Sequence, residues 1–280
     1  MEKLRSVHSI FFDDSLGRLI KGGLKSSSFP RPPSFRILTY NIWFGVQDFE
    51  ARTAELLRII EAEDADFVGL QEVTPAFCER LLGSKSLLRR YRVSAVDFEA
   101  YGNLILSRHP CEFFALDLRS TMGRKAIFCL FEAGDSRVLL ANVHLESLAN
   151  APVRAEQLTS LSGFLTEAGS FGLFGDFNFS EANEERNVPP GAVDAWLALH
   201  GPQGGATWAK GGGWRPDRVF LGGGLVALSA KLVGTESLPK YQGLGGGRPP
   251  RGLVTTPSDH FGLVVEVGWR DRESGLLIEE

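Results

Sequence analysis

From Phe35 onward, short apolar runs bounded by polar or turn residues alternate with stretches of helical spacing. Residues 35–42 and 66–71 are compact apolar runs of the kind found in strands buried on both faces. Residues 91–96, 101–107, 112–118, 125–132 and 137–144 follow as successive strands, with 171–175, 217–221, 225–232 and 261–267 later in the chain. Between them, residues 50–63 carry Ala54, Leu57 and Glu61 on one helical face, with Leu56, Ile59 and Ile60 beside it. The spacing predicts further helices over 74–88, 152–166 and 192–200, the first with Thr74 as cap and Pro75 at its first position. Strands in runs joined by short turns, interrupted by helices, predict layered sheets with helices outside, an α/β fold.

The first 34 residues break this pattern. Residues 1–25 mix charge with short apolar runs, and Ser26-Ser27-Ser28-Phe29-Pro30-Arg31-Pro32-Pro33-Ser34 reads as a linker. The expectation is a poorly ordered tail over 1–34, a catalytic domain over 35–270 and a short C-terminal tail over 271–280. Asp13 and Asp14 interrupt any apolar core of a secretory signal. The Gly-rich stretches 204–213 and 243–252 are expected to be long mobile loops.

Composition narrows the function classes. The chain is 43 % hydrophobic, too apolar for disorder along its length. No apolar stretch approaches the ~20 residues of a membrane-spanning helix. With 30 basic and 34 acidic residues, charge alone does not hold it to nucleic acid, so such a partner is engaged locally or through a metal. Cys78, Cys111 and Cys129 lack metal-site spacing and do not make a disulfide framework. This fits a reducing intracellular compartment, nuclear or cytoplasmic, with organelle targeting left open. Nothing in the chain demands more than a monomer.

The chemistry gathers where apolar strands end. Asn41, Glu72, His144 and Asp176 each follow such a run, so their side chains can meet at one sheet edge. Asp176 and Asn178 are two apart and share a side of an extended segment, an Asx turn being the alternative. Asp259 and His260 pair a charge with a group that switches near neutral pH, and Asp217 is placed to orient the imidazole. Carboxylate and amide oxygens are hard ligands suited to Mg²⁺ or Mn²⁺ rather than zinc. The reaction these residues imply is metal-assisted hydrolysis of a phosphate ester.

The ordered series TYNIW, LQEVTP, GNLILSRHP, NVHLES, GDFN, PDRVF and SDHFG resembles the endonuclease/exonuclease/phosphatase superfamily over residues 35–269. Met122-Gly123-Arg124, Val193-Asp194-Ala195-Trp196 and Thr207-Trp208 add a likeness to its tyrosyl-DNA phosphodiesterase 2 branch. The resemblance implies a four-layered α/β sandwich, two mixed β-sheets face to face and flanked by helices. It implies a Mg²⁺-dependent phosphodiesterase acting on 5′-phosphotyrosyl DNA ends, with Mn²⁺ as substitute, in DNA repair. Other readings are a related nuclease, phosphatase or lipid phosphodiesterase, or a non-catalytic binding module.

By the same resemblance Glu72 ligates metal, with Asn41 and Asp259 completing the metal set. Asp176 positions or activates water, while Asn41 and Asn178 hold water, metal shell or phosphate. His260, supported by Asp217, stabilises the transition state, and His144 faces the phosphate. Trp208 lies near the DNA groove. Two departures stand out: Trp43 replaces an acid two residues after Asn41, and Ser180 replaces a phosphate-facing arginine, for which Arg124 or Arg186 is the substitute.

Overall fold

The computed structural model describes residues 3–13, 18–22, 28–95, 97, 99–242 and 252–270. In chain order its strands are β1 (Arg5–Val7), β2 (Ser9–Asp13), β3 (Arg18–Gly22), β4 (Ser34–Asn41), β5 (Phe67–Val73), β6 (Arg92–Ser94), β7 (Gly102–Ser107), β8 (Glu112–Asp117), β9 (Lys125–Ala133), β10 (Ser136–His144), β11 (Ser170–Asp176), β12 (Val193–Asp194), β13 (Asp217–Gly222), β14 (Leu225–Val233) and β15 (Gly262–Trp269). The helices are α1 (Phe49–Glu63), α2 (Pro75–Gly83), α3 (Lys85–Arg90), α4 (Ala151–Ala168) and α5 (Ala195–His200). One sheet has the order β1-β8-β9-β10-β11-β13-β12 and the other β14-β15-β4-β5-β7-β6-β2-β3.

Alternation along each strand builds the layers, because successive side chains leave opposite faces. Phe35 and Ile37 of β4 enter the core between the sheets with Phe67, Phe131, Leu140 and Phe174. Their neighbours Leu38 and Tyr40 face outward, where Leu56 and Ile60 of α1, Phe77 and Leu81 of α2, and Leu87 of α3 cover them. On the other sheet Ala141, Val143 and Leu173 are covered by Leu158, Leu161 and Leu165 of α4. The result is the expected four-layered sandwich.

The helix expected over 74–88 is two helices. Thr74 caps α2, its hydroxyl accepting from the Phe77 amide at 3.2 Å. Gly83 favours helix poorly, and Ser84 turns extended (φ −80, ψ 94), so the chain restarts as α3. The helix expected from residue 192 starts only at Ala195, because Val193 and Asp194 pair with Leu221 and Phe220 of β13.

The N-terminal segment departs most from expectation. Instead of trailing as a tail, β1 pairs with β8 in one sheet, and the β2–β3 hairpin extends the other through β6. Phe29 bridges to Ala133 and stacks on His109 with ring centroids 4.3 Å apart, while Trp269 Nε1 donates to the Pro32 carbonyl. These strands are three to five residues long. β1 is held by β8 (Arg5 opposite Ala115) and β2 by β6 (Ser9 opposite Ser94), partners far along the chain that local spacing cannot reveal. Of the expected mobile stretch 243–252, residues 243–251 lie outside the described residues, as does the tail at 271–280.

Two parallel pairs position the site. β4–β5 in one sheet and β10–β11 in the other bring the C-terminal ends of four strands to one edge. Just beneath that edge a buried amide network joins the sheets. Gln71 Nε2 donates to Thr39 Oγ1 at 3.0 Å and Asn142 Oδ1 at 2.7 Å, and Asn142 Nδ2 donates to the carbonyls of Leu70 and Leu104. Through the nitrogens of both amides and the Asn142 oxygen, this network fixes the sheets' relative placement where the chemistry sits.

Candidate active site

Asn41 ends β4 and turns its amide toward two carboxylates. Its Nδ2 donates to Asp176 Oδ2 at 2.9 Å and Glu72 Oε1 at 3.2 Å, while its Oδ1 accepts from the Trp43 amide. The Trp43 contact sets this orientation, because a backbone N–H needs an acceptor. Glu72 sits at an irregularity where β5 slips against β7, with φ 59. That left-handed conformation swings the carboxylate to the pocket, where its Oε2 accepts from the Phe44 amide at 3.0 Å. Burial pushes the Glu72 carboxyl up.

His144 lies opposite Asp176 in the β10–β11 register. Arg124 Nη1 stands 2.9 Å from His144 Nδ1. A guanidinium only donates, so Nδ1 accepts and the ring proton sits on Nε2. That atom is 3.5 Å from Asp176 Oδ2 and 4.0 Å from Glu72 Oε1. Burial, with the charges of Arg124 and His260, holds His144 well below the usual histidine range, so it is a neutral donor. Gly175 precedes Asp176 at φ +136, and a Cβ there would meet the Val143 carbonyl oxygen at 1.9 Å. Only glycine permits that approach between β10 and β11. Asp176 Oδ1 accepts from the Asn178 amide at 2.9 Å, and Asn178 Nδ2 donates to the Leu145 carbonyl. Asn178 thus braces Asp176.

Asp217 begins β13 directly opposite Asp176. Its Oδ2 is 2.8 Å from His260 Nδ1, and His260 Nε2 stands 4.0 Å from Asp176 Oδ2. Burial opposes charge on His260, but Asp217, Asp176 and Asp259 outweigh it and raise its pKa to about 10. His260 is therefore an imidazolium at neutral pH. Burial and the neighbouring Asp217 charge push Asp176 up to about 7, against the pull of His260. Ser258 Oγ donates to the Asn41 carbonyl at 2.6 Å and accepts from the His260 amide, tying the His260 loop to β4. The Trp208 ring meets His260 edge-on, centroids 4.9 Å apart.

Glu72, Asp176 and Asp217 thus share a buried pocket with one imidazolium and one neutral imidazole. Asp217 Oδ1 has no partner. A divalent cation is the charge this donor set lacks, and its oxygens suit a hard one. Glu72 and Asp176 present carboxylate oxygens toward each other's side of the pocket through Asn41. Asn41 faces them with nitrogen, which makes it a brace for both. Asp259 is held by Lys210 Nζ at 2.9 Å. Ligand atoms of Asp176, Asp217 and His260 lie within 4.8 Å of one another. The Nδ1 of His260 is occupied by Asp217, and an imidazolium repels a cation.

All eight sequence-derived candidates reach this edge, and Arg124 and Trp208 flank it on opposite sides. Arg124 also lines a 660 Å³ cavity with Tyr101, Met122 and Lys125. Tyr101 stacks on Phe44 at 4.9 Å and lies 5.6 Å under the Arg124 guanidinium. Arg186 is exposed in a short 3₁₀ turn (Glu184–Asn187). Ser180, where an arginine was expected, instead accepts from Arg154 Nη2 at 2.9 Å. Sequence reasoning missed Lys210, Tyr101 and Arg52. Arg52 Nε, Nη1 and Nη2 donate to the carbonyls of Gln47, Ile42, Trp43, Gly45 and Pro257, pinning the loops that carry Trp43 and His260. The position of Arg52 in a helix just after the Trp43 loop is the one local hint of this, and nothing local points to the His260 loop.

A profile of the Endonuclease/Exonuclease/phosphatase family matches residues 38–260. A search of curated proteins finds no match. Among solved structures, the chain is similar to TDP2 of D. rerio complexed with single strand DNA product, with a TM-score of 0.71, 22 % identity and coverage of 85 % of this chain and 100 % of that one. A humanized D. rerio TDP2 gives a TM-score of 0.70 at 23 % identity, covering 85 % and 100 %. Truncated Caenorhabditis elegans TDP2 gives 0.69 at 22 %, covering 84 % and 97 %. At these identities the likeness is one of fold.

Proposed function

The chain belongs to the endonuclease/exonuclease/phosphatase family, and from that membership we propose that it is a Mg²⁺-dependent phosphodiesterase that cleaves 5′-phosphotyrosyl bonds at DNA ends. The observation that carries the reaction type is the pairing across one pocket of a carboxyl raised to about 7, Asp176, with an imidazolium raised to about 10, His260. Asp176 is poised near neutral pH to take a proton from an attacking water. His260, oriented by Asp217, donates to a phosphoryl oxygen as negative charge develops. His144 offers a second, neutral donor through Nε2, and Asn41 and Asn178 keep the Asp176 carboxylate in place. Glu72 would hold Mg²⁺, which when bound neutralises phosphate charge and stabilises the leaving oxygen.

The substrate reading rests on the ordered motif series and on the cavity beside His144. Tyr101, on which Phe44 stacks, gives that cavity an aromatic wall, and Arg124 gives it a cation. These suit an aromatic leaving group on a phosphate. The TDP2 structures, one holding a single-stranded DNA product, agree with a DNA end as partner.

The test is tyrosine release from a 5′-tyrosyl single-stranded oligonucleotide, with Mg²⁺, with EDTA, and by Asp176→Asn. Release that needs both metal and Asp176 is the expected result. No release by the wild type with Mg²⁺ overturns the substrate assignment.

A further inference from the structure

Most cations near the pocket are committed. Arg52 is spent on five backbone carbonyls. Arg154 is paired with Glu184, and Arg215 and Arg218 with Asp194. Arg124 sits on the His144 side, against His144 and Ser147. Among the described residues, the opposite wall beside His260 is served by Lys210.

Lys210 is 42 % exposed. Its Nζ reaches Asp259 Oδ2 at 2.9 Å and lies 4.7 Å from the Trp208 ring and 5.5 Å from the Trp43 ring. Arg52 also lies over the Trp43 ring, at 4.5 Å, which helps to hold that indole in place. The loop is tethered to the His260 backbone: the Ala209 amide donates to the Asp259 carbonyl at 2.9 Å, and the Phe261 amide to the Thr207 carbonyl. Directly after Lys210, Gly211, Gly212 and Gly213 all have positive φ, and a Cβ on any of them would meet nothing within 4 Å. The ammonium is therefore held on a fixed base, beside two indoles, and remains partly open to solvent.

Asp259 takes one of the three donors of the ammonium, so the pair leaves Lys210 with donors for a second anion. A half-exposed ammonium at the mouth of a phosphodiesterase pocket is well placed for a second phosphate. We infer that Lys210 is a substrate-binding residue that takes the backbone phosphate next to the scissile one, selecting a polynucleotide end over an isolated phosphoester. This rests on the reading of the substrate as a DNA end. Trp208 beside it offers a face on which a terminal base stacks.

The experiment uses Mg²⁺-loaded protein in an Asp176→Asn background, which prevents turnover, and a 5′-phosphorylated single-stranded oligonucleotide followed by fluorescence anisotropy. Adding Lys210→Gln should weaken binding about 5–10-fold and lower the slope of log K against log salt by about 0.7, the loss of one single-strand phosphate contact. Lys210→Arg should restore most of both. In the otherwise wild-type protein, Lys210→Gln should lower kcat/KM on the oligonucleotide at least fivefold more than on thymidine 5′-(p-nitrophenyl phosphate), which has one phosphate. An unchanged salt slope, or equal losses on the two substrates, overturns the inference; the second result would place Lys210 on the chemistry through Asp259. Failure of tyrosine release with the salt effect intact removes the proposed function alone. Tyrosine release with an unchanged slope in Lys210→Gln removes the Lys210 inference alone.

Discussion

Two buried polar clusters flank β11, and they are built on opposite principles. Behind the strand, Arg154 is fully buried and grips Glu184 through Nε and Nη2 at 2.7 and 2.8 Å, with Nη1 on the carbonyls of Glu146 and Leu148. Glu146 accepts from Ser120, from the Thr121 amide and hydroxyl, and from Gln157. Against the cost of burial, these hydrogen bonds hold both Glu146 and Glu184 below the usual carboxylate range. In front, Glu72 and Asp176 are pushed upward and Asp217 leaves an oxygen unpartnered. The first cluster satisfies its charges and fixes the loops after β10 and β11. The second leaves negative charge in excess, which suits a site that must receive a cation and a phosphate. Burial of charge is common to both, so burial does not identify the active site; lack of compensation does.

Substitutions that unbalance the first cluster or relax the second break the contrast in opposite senses. The largest effect is expected from Arg154→Met, which strands Glu184 in the interior. Breaking a buried pair from one side costs about 3–5 kcal/mol, read as a lower urea midpoint, and a midpoint within error of wild type would refute the structural role given to this cluster. Next come Asp176→Asn and His260→Ala, each lowering kcat/KM at least about 10²-fold by removing a group that moves a proton or meets developing charge. Near-wild-type rates in both would contradict the site.

The pH dependence of stability without metal should expose the same opposition. Glu146 and Glu184 are depressed, so their stabilisation is present above the ordinary carboxyl pKa and is lost as pH falls through their lower folded values. Asp176 is raised to about 7, so between roughly pH 4 and 7 the folded state binds a proton that the unfolded state does not, and stability declines as pH rises. His260, raised to about 10, keeps its contribution below roughly pH 6.5 and loses it as pH rises toward 10. Urea midpoints in EDTA should therefore peak near pH 5, and Asp176→Asn should flatten the decline from 5 to 7; a wild-type curve still rising between those values would contradict the assignment.

Smaller still is the effect of charge relief at neutral pH. Asp176→Asn should raise the Tm in EDTA by about 2–4 °C, the shift expected from roughly 1 kcal/mol in a chain somewhat smaller than this one. Excess Mg²⁺ should stabilise the wild type by a comparable amount through binding the folded state. Glu72→Gln should lose most of that gain, and an equal Mg²⁺ shift in the variant would move the metal elsewhere.

Much of the front cluster was legible because its members stand at the ends of apolar strands. Asn41, Glu72, His144 and Asp176 are marked by the change from a buried run to a polar residue, which is a local signal. The strands of both sheets were legible for the same reason, as was the pairing of Asp217 with His260 from their flanking motifs. The back cluster was not legible: nothing local says that Arg154 in α4 crosses to Ser180 and Glu184, or that this contact occupies the position where an arginine was expected. Lys210 sits in a Gly-rich stretch whose composition said only loop.

The sequence by itself determined the α/β layering, the identities at the strand ends and the family, since periodicity and motif order are carried by neighbouring residues. Tertiary structure alone decided that the strands within residues 5–13 and 18–22 join the two sheets, that Asn41 presents nitrogen to the carboxylates, and that His260 carries a proton while His144 does not. Each of those outcomes depends on strand pairing, desolvation or Coulomb interaction between groups far apart in the chain, and such terms exist only once the fold has brought the groups together.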